Sequence, residues 1–131
     1  MSALVLLALI WLTGGAAAAY AADAGDCGKA VSQPEINACE YDIFRQADGR
    51  LNRVYAQVAG KLDPDARKLL RDAERAWVDY RDKECESQTA GSAGGSIRPM
   101  YTAQCQTALT KRRIRELEAQ RDCQTELCTL Q

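Results

Sequence analysis

The feature that most constrains this chain is a long apolar stripe with a start and a stop written at its ends. Ile36, Cys39, Ile43, Ala47, Leu51, Val54, Val58 and Leu62 recur at steps of three and four residues, the spacing that lines one face of an α-helix. Tyr55 flanks that stripe. Ahead of it, Ser32-Gln33-Pro34-Glu35 has the form of a capping box, with Ser32 at the cap, Pro34 tolerated in the first turn and Glu35 reaching back. Behind it, Asp63-Pro64 both stops one helix and starts another: proline disfavours helical geometry at the residue before it and suits the first helical position. Gly49 and Gly60 each weaken the helix by roughly 1 kcal/mol relative to alanine, which leaves room for either a kink near Gly49 or early fraying after Val58.

The same spacing predicts a second helix from Pro64 to about Thr89, with Leu69, Leu70, Ala73, Ala76, Trp77, Tyr80 and Glu84 on its apolar and aromatic face and Gly91 as its stop. Gly91-Ser92-Ala93-Gly94-Gly95 reads as a flexible linker. Ser96 is the expected cap of a third helix with Pro99 early in it, carrying Met100, Tyr101, Cys105, Ala108, Leu109, Arg112 and Leu117 inward or along its flank. No segment has the period of a strand. The expected fold is therefore all-α, a small disulfide-stapled up-down-up bundle of three helices.

The leader and the cysteines bear on compartment. Residues 1–22 carry no charge, and a ten-residue apolar stretch from Ala3 to Leu12 precedes an alanine run in which Ala19-Tyr20-Ala21 fits a small-x-small cleavage site. This predicts a signal peptide over 1–22 and one mature domain over 23–131, with its core at 27–117. No Lys or Arg precedes the apolar stretch, which leaves the start codon open. A membrane anchor is the rival reading, but a span needs roughly 20 mostly apolar residues and much of the leader is Gly and Ala. No lipidation box surrounds Cys27, so the expected product is periplasmic or secreted, with no membrane insertion after cleavage.

Six cysteines, Cys27, Cys39, Cys85, Cys105, Cys123 and Cys128, are an even number in a short exported chain, where disulfides are the default. No pair has C-x-x-C spacing and the chain lacks histidine, so neither of the strongest zinc signatures is present and no cofactor or metal is expected. Helices of roughly 26 residues extend roughly 40 Å. Counted from the turns, Cys39, Cys85 and Cys105 fall near one end of the bundle, while Cys123 and Cys128 fall at the other and should pair. Five helical residues rise ~7.5 Å, too far for a bridge, so the third helix should break at about Cys123. Short loops favour Cys27 with Cys39 and Cys85 with Cys105; Cys39 with Cys85 and Cys27 with Cys105 is the alternative.

Chemistry is narrowed mostly by what is missing. Without histidine, the commonest general base and the usual triad partner are gone, and Gly94-Gly95-Ser96 lacks the strand and following glycine of a nucleophile elbow. A pair of acidic residues of the glycosidase kind needs a cleft that a slim bundle offers poorly. The expectation is a binding protein, not an enzyme. A net charge of −1 gives no strong attraction to nucleic acid or to anionic membranes. The basic run Lys111-Arg112-Arg113-Ile114-Arg115 spreads around a helix and is diluted by Glu116 and Glu118, which reads as a solvated face. Trp77, Tyr80 and Tyr55 offer either a stacking platform or, in phase with the aliphatic stripes, core packing. Asp48, Asn52, Tyr80 and Arg81, with Asp82 beside them, form either a buried polar network or a solvated surface.

Taken together, Leu51-Asn52 with Tyr55, then Trp77 with Tyr80-Arg81-Asp82 and Cys85, then Gly94-Gly95-Ser96, then Cys105 with Thr110 and Arg113, resemble the LprI-type lysozyme-inhibitor family. Cys27 and Cys39 match its paired cysteines near the start. The resemblance covers about Cys27 to Leu117. Where that family often has glutamine ahead of the Ala-Trp pair, this chain has Glu74, and the tail with Cys123 and Cys128 is additional. The resemblance implies a secreted or periplasmic protein whose partner is a lysozyme and which shields the cell wall. An inhibitor of that kind would set donors against the acidic cleft of the enzyme, and the residues placed to do so are Ser96 and Arg98. The alternative is a cell-envelope interaction or stress-response module that binds another protein.

Overall fold

The computed structural model describes residues 27–123. Three long helices follow one another: α1 (Gln33–Ala59), α2 (Pro64–Gln88) and α3 (Arg98–Asp122), with short 3-10 turns at Cys27–Lys29 and Ala90–Ser92. No strand occurs among the described residues.

Helix α1 begins as its sequence dictates. The Ser32 side chain accepts from the Glu35 backbone N–H, the Glu35 carboxylate takes the backbone N–H groups of Ser32 and Val31, and Pro34 sits in the first turn. Those bonds hold the Glu35 carboxyl below its usual pKa. The helix runs through Gly49 and ends at Ala59. Asp63 then caps α2 by accepting from the backbone N–H of Ala66, at 2.9 Å. Helix α3 ends at Asp122, and Cys123 at its C-cap is extended, so the helix stops where the cysteine spacing required.

Side-chain contacts give the topology. Glu40 meets Gln104 and Asn37 meets the Ser96 carbonyl near one end, whereas Arg50 meets Glu118 and Gln57 meets Arg121 towards the other, so α1 and α3 run parallel. Along α2 the order reverses: Gln106 bonds Asp82 and Arg113 bonds Glu74. This is the up-down-up arrangement. Disulfides join Cys27 to Cys39 and Cys85 to Cys105, with Cα separations of 5.8 and 5.6 Å. The expected pairing of Cys123 with Cys128, and the expected signal peptide, lie outside the described residues.

Packing is asymmetric. Helix α3 lies close along α1, while α2 leans on α3 and approaches α1 far less. The buried positions of α3 explain the close approach, because Ala103, Thr107 and Thr110 are small and only Ile114 and Leu117 are large. Leu51, Val54, Val58 and Ala59 of α1 gather with Leu70, Ile114 and Leu117 into one apolar cluster, against which Tyr55, Leu62 and Trp77 pack.

Three expectations about faces are corrected. On α2 the inward residues are Leu70, Arg81 and Cys85, while Leu69 is 70% exposed, Tyr80 is 48% exposed, and Ala73 and Ala76 face solvent. The buried row is thus rotated relative to the hydropathy stripe, because a charged residue takes an inside position. On α3, Tyr101, Ala108 and Arg112 are exposed and the inward row passes through Ala103, Thr107 and Thr110 instead. Ser96 does not cap α3. The cap is Ile97, already helical at φ −84° and ψ −19°, and no side chain bonds the helix end; a capping hydroxyl needs extended backbone at its own residue in order to reach back.

Candidate functional site

Two polar regions stand out, one inside the bundle and one at its corner. Inside, Arg81 is only 5% exposed. Its Nη1 donates to Asp48 Oδ1 at 2.8 Å and to Thr110 Oγ1 at 3.3 Å, and its Nε donates to Asp82 Oδ1 at 2.9 Å. The guanidinium also lies over two rings, 4.9 Å from the centroid of Phe44 and 5.4 Å from that of Trp77. Gln106 donates to the same Asp82 oxygen, so this one arginine ties all three helices. Buried charge is tolerated only where it is paired and hydrogen-bonded, and cation–π contact adds to the pairing.

Of the residues read as one network, the structure brings together Asp48, Arg81 and Asp82, with Trp77 stacked against them. Asn52 and Tyr80 stand apart, both exposed, and Asn52 makes no side-chain hydrogen bond. Leu51 is buried in the apolar cluster and Tyr55 is half-buried against it. Phe44 and Thr110 complete the Arg81 environment and were not expected there, since contact between helices has no signature in the spacing of either one. The same holds for Glu74 and Arg113, whose carboxylate and guanidinium form a two-pronged ion pair between α2 and α3. Burial opposes the charge of Arg113, but its bonds to Glu74 and Glu116 outweigh that and raise its pKa. The basic run is therefore divided: Ile114 faces the core, Arg113 is bound to Glu74, and Lys111 and Arg115 face solvent.

The corner is the connection from α2 to α3. Gly94 there has φ +78°, a left-handed conformation that side-chain-bearing residues rarely adopt, and glycine supplies it without strain. The turn is anchored to α1 by the Asn37 amide, which donates to the Ser96 carbonyl at 2.9 Å. It is also held by Thr89, whose hydroxyl bonds the Cys85 carbonyl, and by Ser92, whose hydroxyl bonds the Thr89 carbonyl. The segment read as a flexible linker is thus a hydrogen-bonded turn. It borders a groove of about 570 Å³ whose walls include Tyr41, Glu86, Gly95, Arg98, Thr102 and Gln106. Ser96 is exposed. The Arg98 side chain is half-buried and its guanidinium makes no hydrogen bond or ion pair with a described residue.

Among the described residues no group of three or more His, Cys, Asp or Glu is arranged to hold a metal ion, and no helix is long and apolar enough to cross a membrane. Comparison with known proteins finds two uncharacterized relatives. The chain is 36% identical over 106 residues to an uncharacterized protein of Rhizobium meliloti (strain 1021), an alignment covering 71% of this chain and 76% of that protein. It is 28% identical over 102 residues to the uncharacterized protein YecT of Escherichia coli (strain K12), covering 66% of this chain and 63% of YecT. No solved structure matches it. The family model described as "Lysozyme inhibitor LprI" matches residues 25–117, which takes in all of α1 and α2 and most of α3. On that match, the chain belongs to the LprI lysozyme-inhibitor family.

Proposed function

We propose that this protein is an exported, non-enzymatic inhibitor that binds a lysozyme through the α2–α3 corner. Family membership over most of the bundle is the observation that carries this reading. Two disulfides suit the oxidising surroundings of the periplasm or the exterior, and the leader over 1–22 suits export to them.

The choice of face rests on chemistry. Lysozymes work with a pair of acidic side chains in a cleft, and a guanidinium held without an internal partner is the side chain best matched to a carboxylate. Arg98 is such a group, and Ser96 presents an exposed hydroxyl two residues away. The neighbouring turn is tied to α1 and α2 by side-chain hydrogen bonds, so little ordering entropy is lost when a partner docks. With a net charge of −1, long-range attraction to a basic enzyme is slight, and affinity has to come from local fit.

The test is lysozyme-driven clearing of a bacterial suspension in the presence of the purified mature chain. Inhibition is expected, weakened roughly tenfold or more in Arg98→Ala, the scale of losing a charge-assisted hydrogen bond. Absence of inhibition against every lysozyme class tried contradicts the reading and turns attention to an envelope module that binds another protein.

A further inference from the structure

Because α2 stands away from α1, a second opening of about 390 Å³ lies between them, walled by Asp48, Leu51, Asn52 and Tyr55 on α1 and by Glu74, Arg75 and others on α2. Its volume falls within the usual range for small-molecule sites. Its charges do not cancel internally. Asp48 is occupied by Arg81, and Glu74 by Arg113. The cations on the α2 side share a single carboxylate: Asp72, hydrogen-bonded to Lys68, also feels Arg71 at a loose 3.9 Å and Arg75, which makes no hydrogen bond or ion pair of its own. The cleft therefore carries an excess of guanidinium.

Its other lining groups are unspent as well. Asn52 lies in a segment singled out by the sequence, yet packing uses its neighbours Leu51, Val54 and Tyr55 and not Asn52 itself. Its amide makes no hydrogen bond with a described residue, and neither does the Tyr55 hydroxyl. An amide and a phenol supply donors and acceptors together. The ring of Tyr55 itself and the apolar side chains of Leu51 and Val78 complete the wall. Mixed donors and acceptors next to an apolar wall suit the hydroxyls and the ring face of a sugar, and the surplus guanidinium suits a carboxylate on it.

We propose that the α1–α2 cleft is a binding site for an acidic sugar, with Arg75 taking the carboxylate and Asn52 and Tyr55 taking ring hydroxyls. This site is separate from the α2–α3 corner and does not depend on lysozyme binding.

The test is titration of the isotope-labelled mature chain with glucuronate and N-acetylmuramate, with glucose and N-acetylglucosamine as neutral counterparts and with benzoate and inorganic phosphate as non-sugar anions, followed by amide shifts. Acidic sugars are expected to bind at least about tenfold more tightly than their neutral counterparts and than either non-sugar anion, with shifts centred on Asn52, Tyr55 and Arg75. Arg75→Gln should lower that affinity roughly tenfold and Asn52→Ala several-fold, with the melting temperature and any lysozyme inhibition unchanged. Equal binding of neutral sugars or of simple anions, no binding of either acidic sugar, or unchanged affinity in Arg75→Gln overturns the proposal.

Discussion

The two ends of the bundle are held by different means. Around the α1–α2 turn, Leu51, Val54, Val58, Ala59, Leu70, Ile114 and Leu117 close into a continuous apolar cluster. At the other end the α1 stripe is only half-buried at Ile36 and Ile43, and the buried residues of α2 and α3 are Cys85, Ala103 and Thr107. Both described disulfides are at that end. Sulfur bridges there substitute for the large side chains that the apolar end uses. A small domain buries too little surface to be secure on apolar contact alone, and each bridge contributes about 3 kcal/mol by restricting the unfolded chain. An end fixed by covalent links can leave an exposed Ser96, a half-buried Arg98 and a groove on its surface without loosening the fold.

That contrast can be broken from either side. The largest effect is expected at the apolar end, where Leu117 is 1% exposed. Leu117→Ala should cost about 4 kcal/mol in chemical denaturation, as a buried leucine removed from a packed core does. Next, replacing both Cys85 and Cys105 with alanine should cost about 3 kcal/mol. It should also speed amide exchange around Gln88 to Thr102 while Val54 to Ala59 stays protected, a local effect that separates the ends. Arg81→Ala should cost about 2 kcal/mol, less than a fully buried ion pair, because its partners Asp48 and Asp82 are 38% and 50% exposed and regain water. A cost near zero would mean that the Arg81 cluster holds nothing together.

The same contrast decides how much was legible in the sequence. Helix α1 was readable at its start, where Ser32, Pro34 and Glu35 mark the cap, and along its one-phase stripe; Leu62, read as part of that stripe, lies beyond the helix, which is unbroken at Gly49 and ends at Ala59. Loop size favoured Cys27 with Cys39 and Cys85 with Cys105 but left the alternative pairing of those four open; the structure has the favoured pair. Helix α2 was harder because it carries two rows: Leu69, Ala73, Ala76 and Tyr80 are the more apolar, but Leu70, Trp77, Arg81 and Cys85 are the ones that face inward. Hydropathy counts Arg81 as outward, and its burial is made affordable by Asp48, Thr110 and Phe44 from the other two helices together with Trp77 and Asp82 on its own. Helix α3 misled for the opposite reason, its inward row being built from alanine and threonine. Arg98 was read as an exposed cation of a glycine-rich loop; it is the first residue of α3 and is half-buried. The groove beside it was not legible, because its walls come from all three helices.

The most direct measurement is hydrogen–deuterium exchange of the oxidised protein, residues 23–131, with and without saturating lysozyme. Slowed exchange is expected, confined to the disulfide end and centred on Gly94 to Thr102 and the facing turn of α1 near Tyr41. Protection centred on the Gly60 to Leu70 turn, or no change anywhere, would contradict it.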